Sequence, residues 1–362
     1  MAIAKIVGLD HLPQRDVGDT SFGQGLAYSD LLKGMNPRRY QGQSTYVIPE
    51  VWVENGAICF GRLTQATGTM WGASGIPVKG VMGDITNQRR VIIGFRLNRV
   101  SAPQSTITLG FATSATTATT SAPPMSILSI SPADKLNSSY IELEIDCTVS
   151  PFKLTTYVDG QLLRTDSLPS GMNVAANFKE AFLVLSGYMD GSNVARTVLS
   201  FSDMYCIVDT GTEGDTAVKR LGPLKVRRVN VADVTGNWTP SEGTARDVLN
   251  ANASNASPAT PYLSSPPDNS PAAITFDSAS LREGQIKGVS LVARAYRDNG
   301  VAAGMTASLG LNGQSIAGPA LTINDPSSKV QDQTIATLAA LPGGAELTKA
   351  NLAAMQLTLQ PT

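Results

Sequence analysis

Three carboxylates alternate along one short stretch of this chain: Glu142, Glu144 and Asp146, interleaved with Ile141, Leu143, Ile145 and Cys147. Residues two apart on a β-strand share a face and stand roughly 6.5 Å apart along the backbone. A carboxyl pair at such spacing can divide the work of glycoside hydrolysis, one group donating a proton while the other attacks or activates water. The motif reads E-x-E-x-D, with no aromatic platform for a sugar ring beside it. Three acids on the outward side of a strand also keep a face solvated and discourage edge pairing. The expectation is a solvated carboxylate face, with hydrolysis, or a cation or partner contact, as the chemical alternatives.

Other chemistries find less support. His11 is the only histidine and lies in a polar, glycine-containing leader, so neither a Ser-His nor a Cys-His pair has an obvious base. Cys59, Cys147 and Cys206 are far apart in apolar, strand-like contexts and lack C-x-x-C spacing, which reads as small buried hydrophobes rather than zinc ligands or a disulfide framework. The glycines of 68–75 and 300–304 lack the Lys-Ser/Thr ending of a phosphate-cradling loop. Asp190-Gly191-Ser192-Asn193 offers hard oxygen ligands but too few for calcium, and Gly191 reads more simply as a hairpin turn between 182–189 and 194–201. No cofactor and no metal are expected.

Binding is better served by aromatics. Trp71, flanked by Gly68, Gly72 and Gly75, reads equally as core or as a ring offered to glycan or protein, whereas Trp52 between Val51 and Val53 reads as core. Trp238 and Tyr262 stand in a proline-rich region as anchors, and with Trp71 they are the candidate partner or glycan contacts.

A net charge of −1 provides no overall field for nucleic acid or anionic lipid. The densest basic run, Lys219, Arg220, Lys225, Arg227 and Arg228, is interleaved with Leu221, Leu224, Val226 and Val229, as in a charge-protected edge strand. The first ten residues carry no long apolar core, and no window approaches the 18 or so apolar residues of a membrane span, so synthesis and folding in a cytoplasm are expected.

The elements that must position these residues are strands. With 362 residues, 16% charged and 6% aromatic, the chain suits about two domains of short strands and turns rather than long charged helices. Residues 1–26 read as an arm, a candidate for docking onto a neighbouring subunit. From 27 to 212, alternating runs at 44–53, 57–63, 89–100, 105–112, 140–147, 154–164, 180–188 and 196–208 predict an all-β, two-sheet sandwich of jelly-roll type, with 114–121 an exposed loop. Asp159-Gly160 predicts a tight hairpin, because that dipeptide tolerates positive φ at both central positions. Residues 213–271 keep one strand, 224–231, and then read as a Pro-rich extended connector lying along other surfaces. Alternation returns in 272–362, a second, smaller β-sandwich with a short helix at 348–355 capped by Thr348.

Tyr28-Ser29-Asp30-Leu31-Leu32-Lys33, Arg39-Tyr40-Gln41-Gly42-Gln43, Thr156-Tyr157-Val158-Asp159-Gly160, the stretch Phe201-Ser202-Asp203-Met204-Tyr205-Cys206-Ile207-Val208-Asp209, Leu221-Gly222-Pro223-Leu224-Lys225-Val226 and Asn237-Trp238-Thr239-Pro240-Ser241 follow one another over most of 27–241. In order and spacing they resemble a family of tailed-bacteriophage virion proteins carrying a concanavalin A-like, laminin-G-type sandwich. The resemblance implies a non-enzymatic structural component of tail, baseplate, neck or collar fibre, or head decoration, working as a homo-oligomer with other virion proteins. It implies no catalytic residues. The leader before Tyr28 is longer than the family's. Arm and connector, too poor in apolar residues to fold alone, fit assembly by subunit contacts, with a trimer as one form. The rival expectation is a receptor-binding adhesin that recognises host-surface glycan; a depolymerase is the third.

Overall fold

The computed structural model describes residues 3–7, 38–40, 50–54, 56–62, 70–77, 89–99, 107–112, 125–130, 138–168, 182–189, 196–209, 219–251, 261–279, 281–282, 284–296, 303–323 and 331–362. These divide near residue 226 into two compact units. Strand is the dominant state in both, and the described helices are short.

The strands of the first unit are β1 (Ile3–Val7), β2 (Arg38–Tyr40), β3 (Glu50–Glu54), β4 (Ala57–Arg62), β5 (Met70–Pro77), β6 (Arg90–Arg99), β7 (Ile107–Ala112), β8 (Met125–Ile130), β9 (Ser139–Asp146), β10 (Lys153–Val158), β11 (Gln161–Ser167), β12 (Phe182–Met189) and β13 (Arg196–Asp209). They form two antiparallel sheets of a sandwich. One runs β11-β10-β9-β6-β13-β4-β3 with β1 also on β13, and the other runs β2-β5-β12-β7-β8.

The period-two reading of 141–147 holds at β9. Ile141, Leu143 and Ile145 are in register with Phe95, Ile93 and Val91 of β6, and all six are buried on the inner face. The outer face carries Glu142 opposite Gly94, Glu144 opposite Ile92 and Asp146 opposite Arg90. Asp159 and Gly160 take φ of 49° and 82° between β10 and β11, the doubly left-handed turn the dipeptide predicts.

Three local expectations give way. Ile3–Val7 of the supposed arm is a strand that pairs with β13 within the same chain. The turn expected at Gly191 is no hairpin: β12 pairs with β5 and β7 while β13 pairs with β1, β4 and β6, so the chain changes sheets there. Residues 190–193 themselves, like His11 and 114–121, lie outside the described residues. The connector is also folded where it is described: Lys219–Val226 belongs to the first unit and Arg227 onward to the second.

The second unit contains β14 (Asn230–Thr235), β15 (Thr239–Pro240), α1 (Ala245–Asn250), β16 (Leu263–Ser264), β17 (Ala272–Asp277), β18 (Val289–Ala295), β19 (Ala303–Leu311), β20 (Gln314–Ala317), β21 (Leu321–Ile323), β22 (Gln331–Leu338), α2 (Lys349–Ala354) and β23 (Gln356–Pro361). Its main sheet runs β14-β17-β23-β19-β20, with β21 on β19. Ile274, Leu309 and Leu357 of that sheet share one core with Leu291 and Ile335 of the β18–β22 pair and Leu352 of α2. Of the connector's strand, placed at 224–231 from the sequence, only the last two residues fall in β14, and 224–229 are not strand. The helix near 348–355 is present, and the Thr348 hydroxyl accepts the Asn351 amide 3.1 Å away.

Candidate functional site

The outer face of the first sheet holds the densest polar chemistry described. Four strands supply one lateral row: Tyr157 of β10, Glu142 of β9, Gly94 of β6 and Tyr205 of β13. Glu142 is fully buried, contrary to the solvated face expected from the sequence. Residues 219–226 lie over it as an extended strap. The Arg220 guanidinium donates to Glu142 Oε2 at 2.8 Å, while Oε1 accepts the Gly222 amide at 2.9 Å and the Tyr205 hydroxyl at 2.5 Å. Tyr205 in turn accepts the Leu221 amide at 3.1 Å. Arg220 also stacks 3.5 Å from the Tyr157 ring centroid.

Gly94 makes this row possible. A Cβ there would meet Tyr205 Cε1 at 2.0 Å, so only glycine lets the ring cross β6 and bring its hydroxyl to Glu142. Burial, reinforced by the Glu142 charge, holds the Tyr205 and Tyr140 phenols well above the ordinary tyrosine range. Both therefore serve as neutral donors.

A second knot lies one row away. The register of β13 against β6 shifts between Ser202 and Tyr205, and within that bulge Asp203 takes a left-handed φ of 53°. Aspartate tolerates this conformation better than most residues, and the bulge re-aims its carboxylate. Asp203 accepts Arg96 Nε at 3.1 Å, the Ser202 hydroxyl at 3.2 Å and the Val226 amide at 2.9 Å. The other Arg96 nitrogens donate to the carbonyls of Ser138 (2.7 Å) and Leu224 (3.1 Å). The Tyr140 hydroxyl donates to the Asp203 carbonyl at 2.8 Å, and its ring stacks on Tyr205 at 6.5 Å. The strap is thus pinned at both ends, by Glu142 and by Asp203.

The run Lys219 to Arg228, expected as a charge-protected edge strand, satisfies its backbone differently. The amides of Leu221, Gly222 and Val226 find side-chain acceptors instead of a neighbouring strand. Lys219, Lys225 and Arg227 are exposed, while Arg220 faces the sheet.

The remaining candidates are dispersed. Glu144 is half-buried and pairs with Arg90 at 3.5 Å, and Asp146 accepts the Thr148 amide and hydroxyl at 2.9 and 2.6 Å. Of the three acids only Glu142 is sealed; Glu144 and Asp146, two residues apart on the same face, are half-buried. Trp71 is in register with Tyr188 on β12, and its side chain lies outside the described residues. Trp238 packs against the core of the second unit and donates its indole N–H to the Ser270 carbonyl at 3.1 Å. Tyr262 meets Tyr296 edge-on at 5.9 Å in that same unit. Cys59 and Cys206 are buried; Cys147 is half-buried just past β9, where burial pushes its thiol up to about 11. Among the described residues no group of three or more His, Cys, Asp or Glu could hold a metal ion, and no helix is long and apolar enough to cross a membrane.

The first unit is an antiparallel two-sheet sandwich. No protein-family model and no curated protein matches the chain. Among solved structures it is similar to an endo-1,3-beta-glucanase from Streptomyces sioyaensis, at 12% identity and a TM-score of 0.33 over 55% of this chain and 99% of that one. Lectin II from Ulex europaeus aligns at 11% identity and 0.29 over 57% and 100%, and a family 7 alginate lyase at 9% and 0.27 over 44% and 82%. These likenesses concern fold and say nothing of activity.

Proposed function

We propose that this chain is a non-enzymatic structural component of a tailed-bacteriophage particle, in tail, baseplate, neck or collar fibre, or head decoration, made in the host cytoplasm and assembled as an oligomer. The observation that supports a non-enzymatic reading is the state of Glu142. Its two oxygens are taken by three donors, two of them from the chain's own strap, so the acid with the most hydrogen-bond partners on this face is closed to substrate. The particle itself is inferred from the motifs between Tyr28 and Ser241, three of which (those holding Tyr157, Tyr205 and Leu221) meet at the strap.

The test is electron microscopy of particles carrying this chain labelled at its C-terminus. Label on the tail, baseplate, neck or head surface is expected; absence of the chain from purified particles overturns the reading. Release of oligosaccharide from host polysaccharide, lost in Glu144→Gln, would replace it with a depolymerase. Glycan binding abolished by Trp71→Ala would move it to an adhesin.

A further inference from the structure

Strand β11 closes one end of the larger sheet, and among the described strands only β10 pairs with it. Every residue from Gln161 to Thr165, and Ser167, is exposed. Leu162 and Leu163 are 62% and 49% exposed, and Val149, in the loop at the opposite end of the strand, is 39% exposed. An edge that no second described strand covers is a template for another strand, and apolar side chains left in water beside it add a reason to cover it.

The sequence of the edge selects the partner. Arg164 and Asp166 flank Thr165 and pair along the strand, Nε to Oδ2 at 2.8 Å. A two-fold axis through Thr165 sets Arg164 opposite Asp166 of an antiparallel second copy, and Asp166 opposite its Arg164. Axes through Arg164 or Asp166 would instead put like charges face to face, which is unfavourable at directly opposed positions. In the favoured register Leu163 falls opposite Ser167 of the second copy. The Leu162–Leu163 end of each chain then approaches the Val149 end of the other. The irregularity in β11 lies at Leu163, between the partners of Tyr157 and Thr156, and leaves Arg164 to Ser167 in regular register with β10. Arg164, Thr165 and Asp166, the three residues centred on the axis, keep that regular register in both copies.

We propose that β11 is a self-complementary edge at which a second copy of this chain adds its own β11 antiparallel, joining two eight-stranded sheets into one continuous sheet. The pairing concerns the isolated protein and stands apart from its place in any particle.

The test is the mass of the full chain in solution across a dilution series, by light scattering or sedimentation. A concentration-dependent dimer is expected. Arg164→Asp and Asp166→Arg should each raise its dissociation constant about tenfold or more, because one variant carries only acids at these positions and the other only bases. Mixing the two variants should restore a dimer, since the acidic edge then meets the basic one. Restoration on mixing separates an intermolecular contact from the pair along one strand, which mixing cannot repair. Thr165→Cys, on the axis, should form an intermolecular disulfide on mild oxidation, opposed residues of an antiparallel pair having Cα atoms about 4.5–5.5 Å apart. A monomer at every concentration, an oligomer indifferent to both charge variants, no recovery on mixing, or no crosslink through position 165 would each overturn the proposal.

Discussion

Glu142→Gln removes one charge from beneath the strap while keeping the side chain's size. The amide oxygen can still accept the Tyr205 hydroxyl and the Gly222 N–H, but the amide nitrogen then faces the Arg220 guanidinium, donor against donor. A hydrogen bond to a charged partner contributes about 1.5–3 kcal/mol, and the 27% exposure of the Arg220 side chain lets water recover part of it, so about 2 kcal/mol is expected. The strap should therefore open about 30-fold more often, at 1.4 kcal/mol per factor of ten. Hydrogen exchange reads this directly, because the Leu221 and Gly222 amides donate to Tyr205 and Glu142 and to no backbone carbonyl. Both should be protected in the parent chain and should exchange faster in the variant. Arg220→Met should produce a similar change, and the two substitutions together should cost less than their sum. Exchange within about threefold of the parent in both variants would refute the claim that this ion pair holds the strap.

Gly94→Ala should destabilise the first unit by about 1–3 kcal/mol or prevent its folding, because the added methyl collides with the Tyr205 ring; an unchanged denaturant midpoint would count against the geometry. Tyr140 and Tyr205 have folded values raised above the ordinary 10.0, so the stability they contribute is fully present below that pH and is lost as pH rises toward the folded values. Urea unfolding should weaken above about pH 10 by about 1.4 kcal/mol per pH unit for each tyrosine, and Tyr205→Phe should reduce the slope. Thr348→Ala removes the cap of α2 and should cost about 1 kcal/mol in the second unit, seen as a lower thermal midpoint; replacement by Ser should largely preserve it.

Period-two alternation and turn chemistry are local, so β9 and its inward and outward faces, the Asp159–Gly160 turn and the Thr348 cap are all readable from residues a few positions apart. The strap is not. Apolar Leu221, Leu224, Val226 and Val229 are interleaved with basic residues as on a surface strand, and nothing nearby in sequence reveals that Glu142 and Asp203, 80 and 23 residues away, accept from this backbone. The carboxylates are misread for the same reason: period two assigns Glu142 to the outer face correctly but cannot say what covers that face. One local signal does exist. Between Phe201 and Ile207 the run Ser202-Asp203-Met204-Tyr205 places an acid among apolar neighbours in the middle of a strand, where an unpaired carboxylate would be too costly to leave without donors. The glycine at position 94 is the matching signal on β6, since a glycine inside a strand marks close approach of another group. The prolines of the connector misled in the opposite sense: they exclude long ladders, yet β15, α1 and β16 fold between them because Trp238 and Leu249 pack on the core of the second unit.

The strap also settles where this protein can be cut. A fragment ending at residue 212, the boundary suggested by strand periodicity, would keep Glu142 and Asp203 but lose Arg220 and three amide donors, leaving two acids on a bared sheet surface. During synthesis the same shortage lasts until the ribosome has released Val226, so the sandwich is completed by the last few residues of its own unit rather than by its final strand.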